Sequence, residues 1–251
     1  MSPTRLPPPS EIKRNLRIES GFGCCKCGFP FIEYHHIIPY SEISENNPED
    51  MMTVCSRCHD IITSGVISEE EQRKIKNNPF NIINNLVEGQ IFLRRNTTII
   101  GNSKFRCNGP IIIVDNEPVI ITNHDNDGNI LLSLFLYDEE DNLVIKLVDN
   151  EWITRPDKTW DLESSPKGIL LRQAPRNIVL RIRLIDNDLK ITGSFWKNGQ
   201  MIEINNEGMV IGSNNISFMA CEFSNCFISV NTKKGSSSIV LGKGLHPNQP
   251  N

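Results

Sequence analysis

The sequence predicts an α+β chain in which a small metal-stapled module with flanking helices precedes an all-β domain. Three observations carry that reading. Two C-x2-C pairs, Cys24/Cys27 and Cys55/Cys58, stand 27 residues apart in the first third of the chain. Helix start and stop signals lie on either side of them. From about Leu93 onward the texture changes to short β-branched and apolar runs separated by Asn, Asp and Gly, such as "PIIIVD", "ILLSLFLY", "IVLRIRLI" and "GMVIG". The expected boundaries are residues 1–88 for the first domain and 89–251 for the β-rich one.

The elements follow in order. The proline run in "RLPPPS" should stay extended, after which Ser10 can cap a short helix with Ile12 and Leu16 on one side, ended by Gly21 and Gly23. The cysteine and histidine clusters occupy the next forty or so residues. Gly65 then gives a stop, and the Ser68-to-Glu71 spacing of a capping box predicts a helix over 68–76, closed by Asn77, Asn78 and Pro79. In the β-rich part, "LLSLFLY-DEEDN-LVIKLV" predicts a hairpin around an acidic turn, and "IVLRIRLI" with "DNDLKITGSFW" predicts another. Short strands at about ten-residue spacing fit a sandwich, a roll or a solenoid, and no exact repeat selects among them.

Composition limits the function classes. A net charge of -4 leaves no global basic footprint, so any nucleic-acid contact has to come from a local patch. The N-terminus lacks the apolar core of a secretory signal, and no run is long enough to cross a bilayer, so a soluble, cytoplasmic protein without a membrane partner is expected. Of eight cysteines, four form the two C-x2-C pairs. In a reducing compartment that pattern favours metal over disulfides.

Four thiolates from Cys24, Cys27, Cys55 and Cys58 can close a tetrahedral zinc site. Cys25 is the spare, expected as a free, partly buried thiol. The stretch from about Gly21 to Gly65 holds too few large apolar residues to fold alone at that length. A closed structural zinc supplies on the order of 10 kcal/mol, so the metal is expected to fold the module.

With the cysteines occupied, His35, His36 and His59 are left over. His59 follows Cys58 at the start of a predicted helix, where successive side chains differ by about 100° around the axis, so Cys58 can face zinc while His59 faces elsewhere. Convergence of His59 with His35 or His36 would make a second metal position with open coordination sites, the mark of a catalytic ion. In a regular strand His35 and His36 point to opposite faces, and both can serve one site only at a strand end or bend, which Pro39 is placed to provide.

The order C-x2-C, "EYHHIIP", "NNPEDMMTVC-x2-CH" resembles the HNH endonucleases with a zinc-knuckle ββα-metal core, over about residues 20 to 65. The β-rich tail carrying "DNEW" and "TWDLES" is similar to that of bacterial HNH-signature proteins. The resemblance implies DNA as substrate and His36 as general base, with His35 and His59 as ligands of magnesium or another divalent cation at the scissile phosphate. An imidazole with an ordinary pKa near ~6.5 suits a base at neutral pH. Five positions before Cys55 the family has an asparagine, and this sequence has Asp50, a residue suited to ligating the ion. Asn46 and Asn47 are out of that register.

Candidate phosphate contacts are Lys13, Arg14 and Arg17 on the first helix, Lys26 and Arg57 within the two knuckles, and Arg73, Lys74 and Lys76 on the last helix. Arg57, beside His59, and Lys26 are the favoured pair. In the β domain, Glu151, Trp152, Trp160 and Asp161 offer carboxylates beside indoles, a pattern that more often seals a core than binds a ligand. His124, in "NHDNDGN", is expected in a loop. Two readings follow: a metal-dependent DNA endonuclease whose β domain serves recognition, homo-oligomerisation or regulation, in one version an antiphage effector, and a non-catalytic zinc-stapled module that binds DNA or protein.

Overall fold

The computed structural model describes residues 7–94, 97–211, 214–217, 220–224, 226–231 and 238–243. Two compact units emerge, one of residues 1–89 with 154–165 and the other of residues 90–153 with 166–251. The segment 154–165 comes from within the β-rich part of the sequence and packs with the N-terminal unit. Among the described residues, no helix is long and apolar enough to cross a membrane.

The first unit opens with α1 (Ser10–Glu19), whose N-cap is Pro9 and not Ser10. The Pro9 carbonyl already accepts from Lys13 N at 3.0 Å, so the helix begins at Ser10 itself, one residue earlier than a Ser10 cap would give. It closes through Phe22 N donating to Arg17 O at 2.7 Å, with Gly21 in the left-handed region at φ 66. A two-stranded antiparallel hairpin follows, β1 (Glu33–His36) and β2 (Met51–Val54), in the register His35↔Met52 and His36↔Met51. Between the strands lie the short α2 (Tyr40–Ile43) and a 3-10 turn over Pro48–Asp50.

After β2 come α3 (Ser56–Thr63), α4 (Glu69–Asn77) and α5 (Phe80–Asn84). The predicted capping box of α4 is complete: Glu71 N donates to Ser68 Oγ, and Ser68 N donates to Glu71 Oε2 at 2.9 Å. Ser68 N and Ser68 Oγ, both donating to Glu71 Oε2, hold the Glu71 carboxyl below its ordinary range. Ile37, Met52, Val54 and Ile62 form the small core together with Cys24, Cys25, Cys55 and Cys58. The β1–β2–α3 order puts the cysteine knuckles and the histidine strand on one compact scaffold.

The second unit is built of antiparallel ladders. One runs through strands 109–114, 117–124, 130–137 and 143–148, and another through 168–174, 177–185, 188–197, 200–204, 208–211 and 214–217. Both hairpins expected from the sequence are present. Tight corners at Asp115-Asn116, Asp149-Asn150 and Asp186-Asn187 each hold two successive residues at positive φ, the mirror-image turn that matches strand twist. Parallel pairings, Thr98–Ile100 against Leu189–Ile191 and Glu222–Ser224 against Lys104–Arg106, link strands far apart in sequence. Trp152 is buried in this unit as a core residue, and Asp125, next to His124, caps its own turn by accepting from Asp127 N and Asn129 N.

Candidate active site

The four cysteines of the two knuckles converge: the Sγ atoms of Cys24, Cys27, Cys55 and Cys58 all lie within 4.8 Å of one another. Two of the separations, Cys27 to Cys55 and Cys27 to Cys58, are 3.7 Å. A tetrahedron with Zn–S bonds of about 2.3 Å has edges of roughly 3.8 Å, so these spacings are those of a zinc cage rather than of thiol hydrogen bonds. Burial, reinforced by Cys24 next to it, pushes the Cys58 thiol up when no cation compensates. Four such sulfurs side by side call for a dication, and the donor set fits zinc.

The knuckle is tightened from outside its own sequence. Gly28 N donates to Cys24 O at 2.8 Å, making the turn between the first two ligands, and Gly28 holds φ 78. Asn81 of α5, buried to 3%, donates from Nδ2 to Gly21 O and Gly28 O at 3.0 and 3.1 Å. A Cβ on Gly23 or Gly28 would run into that amide. Cys25 stays outside the cage as a buried thiol 3.7 Å from Thr53 Oγ1, its thiol pushed up by burial.

The pleat of β1 sends its two histidines to different partners. On one face, the rings of His35 and His59 meet edge to face with centroids 5.0 Å apart. His59 Nδ1 lies 2.8 Å from Glu33 Oε2, and a carboxylate only accepts, so His59 carries its proton on Nδ1 and its lone pair on Nε2. His35 Nε2 lies 3.0 Å from Gln72 Oε1, while Gln72 Nε2 donates to Ile67 O. The glutamine oxygen must therefore accept, which leaves the His35 lone pair on Nδ1. Two oriented imidazoles with a carboxylate behind one of them suit a divalent ion, and both rings are only half-buried.

At the end of the same strand, His36 is 6% exposed and its Nε2 lies 3.1 Å from Asn46 Oδ1, with the Tyr40 ring at 5.4 Å. With the amide oxygen accepting, the basic lone pair of neutral His36 lies on Nδ1. Counting back from Cys55 pointed to Asp50, yet it is Asn46 whose side chain meets this histidine. The count assumes an extended run, and the chain between Asn46 and Cys55 instead turns at Pro48–Asp50.

Asp50 has other partners. Its carboxylate accepts from Arg73 Nη2 at 2.9 Å and from Asn47 Nδ2 at 2.8 Å, and its backbone carbonyl accepts from Ile37 N at 2.7 Å. These contacts tie Asp50 to α4 and to its own loop. Lys76 secures the same loop, donating to Pro48 O and Met51 O at 2.9 and 2.8 Å and pairing with Glu19.

The basic residues divide in the same way. Arg14, Arg17, Arg73, Lys74 and Lys76 hold intramolecular partners, and Lys13 lies over the Tyr34 ring. Lys26 and Arg57 are exposed, with no hydrogen bond or ion pair among the described residues.

Residues 24–65 match the family model described as HNH endonuclease. Neither a curated protein nor a solved structure matches the chain. The HNH segment takes in all four cysteines and His35, His36, Asn46 and His59. It leaves out Gln72, Arg73 and Asn81, which support it from α4 and α5. Of the supporting residues, sequence reasoning missed Glu33, Gln72 and Asn81; only Glu33 had a signal, standing two residues before His35 and so on the same strand face.

Proposed function

We propose that the protein is a metal-dependent endonuclease acting on DNA phosphodiester bonds. The observation that supports this most is the convergence of His35 and His59 beside an Asn46-braced His36, on a hairpin stapled by four cysteines. A divalent cation held by His35 Nδ1 and His59 Nε2 would polarise the scissile phosphate and stabilise the departing 3′ oxygen. His36 takes the proton of the attacking water on Nδ1, and Asn46 keeps the ring in the tautomer that leaves that nitrogen basic. Glu33 and Gln72 fix the two ligand rings so that little ordering remains to be done when the ion arrives.

Asp50 is proposed as a brace of the His36 loop through Arg73, in place of the ligand role suggested by its position. Lys26 and Arg57 are proposed to meet backbone phosphates.

Metal counting and cleavage together test the reading. The purified chain should hold one tightly bound zinc, cut plasmid DNA with added Mg2+ or Mn2+, and stop cutting when EDTA is added, with the zinc retained. One zinc per chain with no divalent-dependent cleavage would instead leave a zinc-stapled binding module. An antiphage role is a separate question that the neighbouring genes would answer.

A further inference from the structure

Asp161 lies on the strand Asp161–Ser165, in the stretch 154–165 that joins the first unit. Its side chain is 4% exposed, and both carboxylate oxygens accept from Arg17: Nε to Oδ1 and Nη2 to Oδ2, each at 2.9 Å. The third guanidinium nitrogen, Nη1, lies 2.9 Å from Tyr34 Oη. Tyr34 stands in β1 between Glu33 and His35 and faces the opposite side of the pleat from both. On either side of this relay the same segment is anchored twice more. Arg14 stacks its guanidinium 3.6 Å from the Trp160 ring centroid and donates to Trp160 O, and Ser164 Oγ donates to Pro30 O at 2.7 Å.

A buried ion pair is poor evidence for stability, because desolvating both charges offsets most of their attraction. What a bidentate fork does supply is a fixed orientation. Here all three arginine nitrogens are assigned, and the last of them ends on the strand that carries His35 and His36. A pleated strand held at Tyr34 cannot rotate its front face independently, so a shift of Tyr34 becomes a shift of both imidazoles.

We propose that Asp161 is a positioning residue for the candidate catalytic strand, acting through Arg17 and Tyr34, so that the nuclease module is built from two separate pieces of chain. This rests on the nuclease reading above. The matched segment 24–65 is therefore incomplete without residues 154–165.

The test uses full-length Asp161→Asn and Tyr34→Phe, with wild type and His36→Ala as controls. Zinc content, kcat and KM are measured together with the imidazole nitrogen resonances of His35 and His36. Both variants should keep one zinc per chain and an unchanged KM, while kcat falls about tenfold or more for Asp161→Asn and severalfold for Tyr34→Phe. The imidazole resonances should move in both. Wild-type kcat in both variants, or a loss of zinc in parallel with kcat, overturns the proposal. If Asp161→Asn does not fold, Tyr34→Phe decides alone. If the wild type cuts no DNA, the nuclease reading fails, and unmoved imidazole resonances would then overturn the positioning role independently.

Discussion

The cysteine cage and the histidine cluster share one short hairpin and the helix that follows it, and they differ in almost every physical respect. The cage draws four identical donors to tetrahedral spacing, three of them buried, and would leave a zinc ion held there no open position. The histidine cluster divides three rings between two faces of a strand, leaves two of them half-exposed, and gives each its own hydrogen-bonded partner. A site that only has to hold the fold together can be closed and symmetrical. A site that has to admit a phosphate and a water must stay open, so its side chains need orienting by neighbours rather than by each other.

The largest expected effect comes from breaking the cage. Replacing Cys58 by Ser, or stripping zinc with a strong chelator, should cost on the order of 10 kcal/mol and unfold the first unit, seen as loss of helical circular dichroism and rapid proteolysis within residues 10–89. Because burial favours the neutral Cys58 thiol, protons compete well with zinc. Zinc release and first-unit unfolding should therefore set in as the pH is lowered, never as it is raised.

The histidine cluster should break differently. His59→Ala should leave zinc content and folding intact while cutting the affinity for the activating divalent ion and the cleavage rate by about 100-fold, measured by Mn2+ titration of activity. Asn46→Ala removes only the brace of the His36 ring. It should lower kcat about tenfold and leave the Mn2+ requirement unchanged. A comparable loss from Asp50→Ala, with weakened Mn2+ affinity, would return Asp50 to the metal and remove it from the loop. The smallest effect belongs to the cap of α4, which touches neither metal position: Ser68→Ala should destabilise α4 by about 1 kcal/mol in denaturant titration and change the cleavage rate less than any of the substitutions above.

How much of this was legible in the sequence follows the same division. The cage was readable because its ligands come in pairs whose spacing is set by local turn geometry. The α4 capping box was readable for the same reason, since Ser68 and Glu71 meet within one helical turn. Asn46 was disfavoured because a linear count from Cys55 cannot see the turn at Pro48–Asp50 that lies between them. Gln72 and Asn81 carry no local pattern, being single polar residues whose partners lie 37 and 53 or more positions away. The contribution of Asp161 was the least visible, since its partner Arg17 is 144 positions distant and its segment lies within the β-rich part of the chain. The parallel pairings of the second unit were hidden for the same reason: strand patterns record which face is buried and say nothing of which distant strand lies beside it.

Whether His36 is the general base on a zinc-stapled hairpin is tested most directly by the cleavage rate of His36→Ala against wild type, in Mg2+ and at equal zinc content. One zinc per chain is expected in both proteins, with a rate at least about 100-fold lower in the variant. A His36→Ala protein that keeps its zinc and cuts DNA as fast as wild type would contradict it.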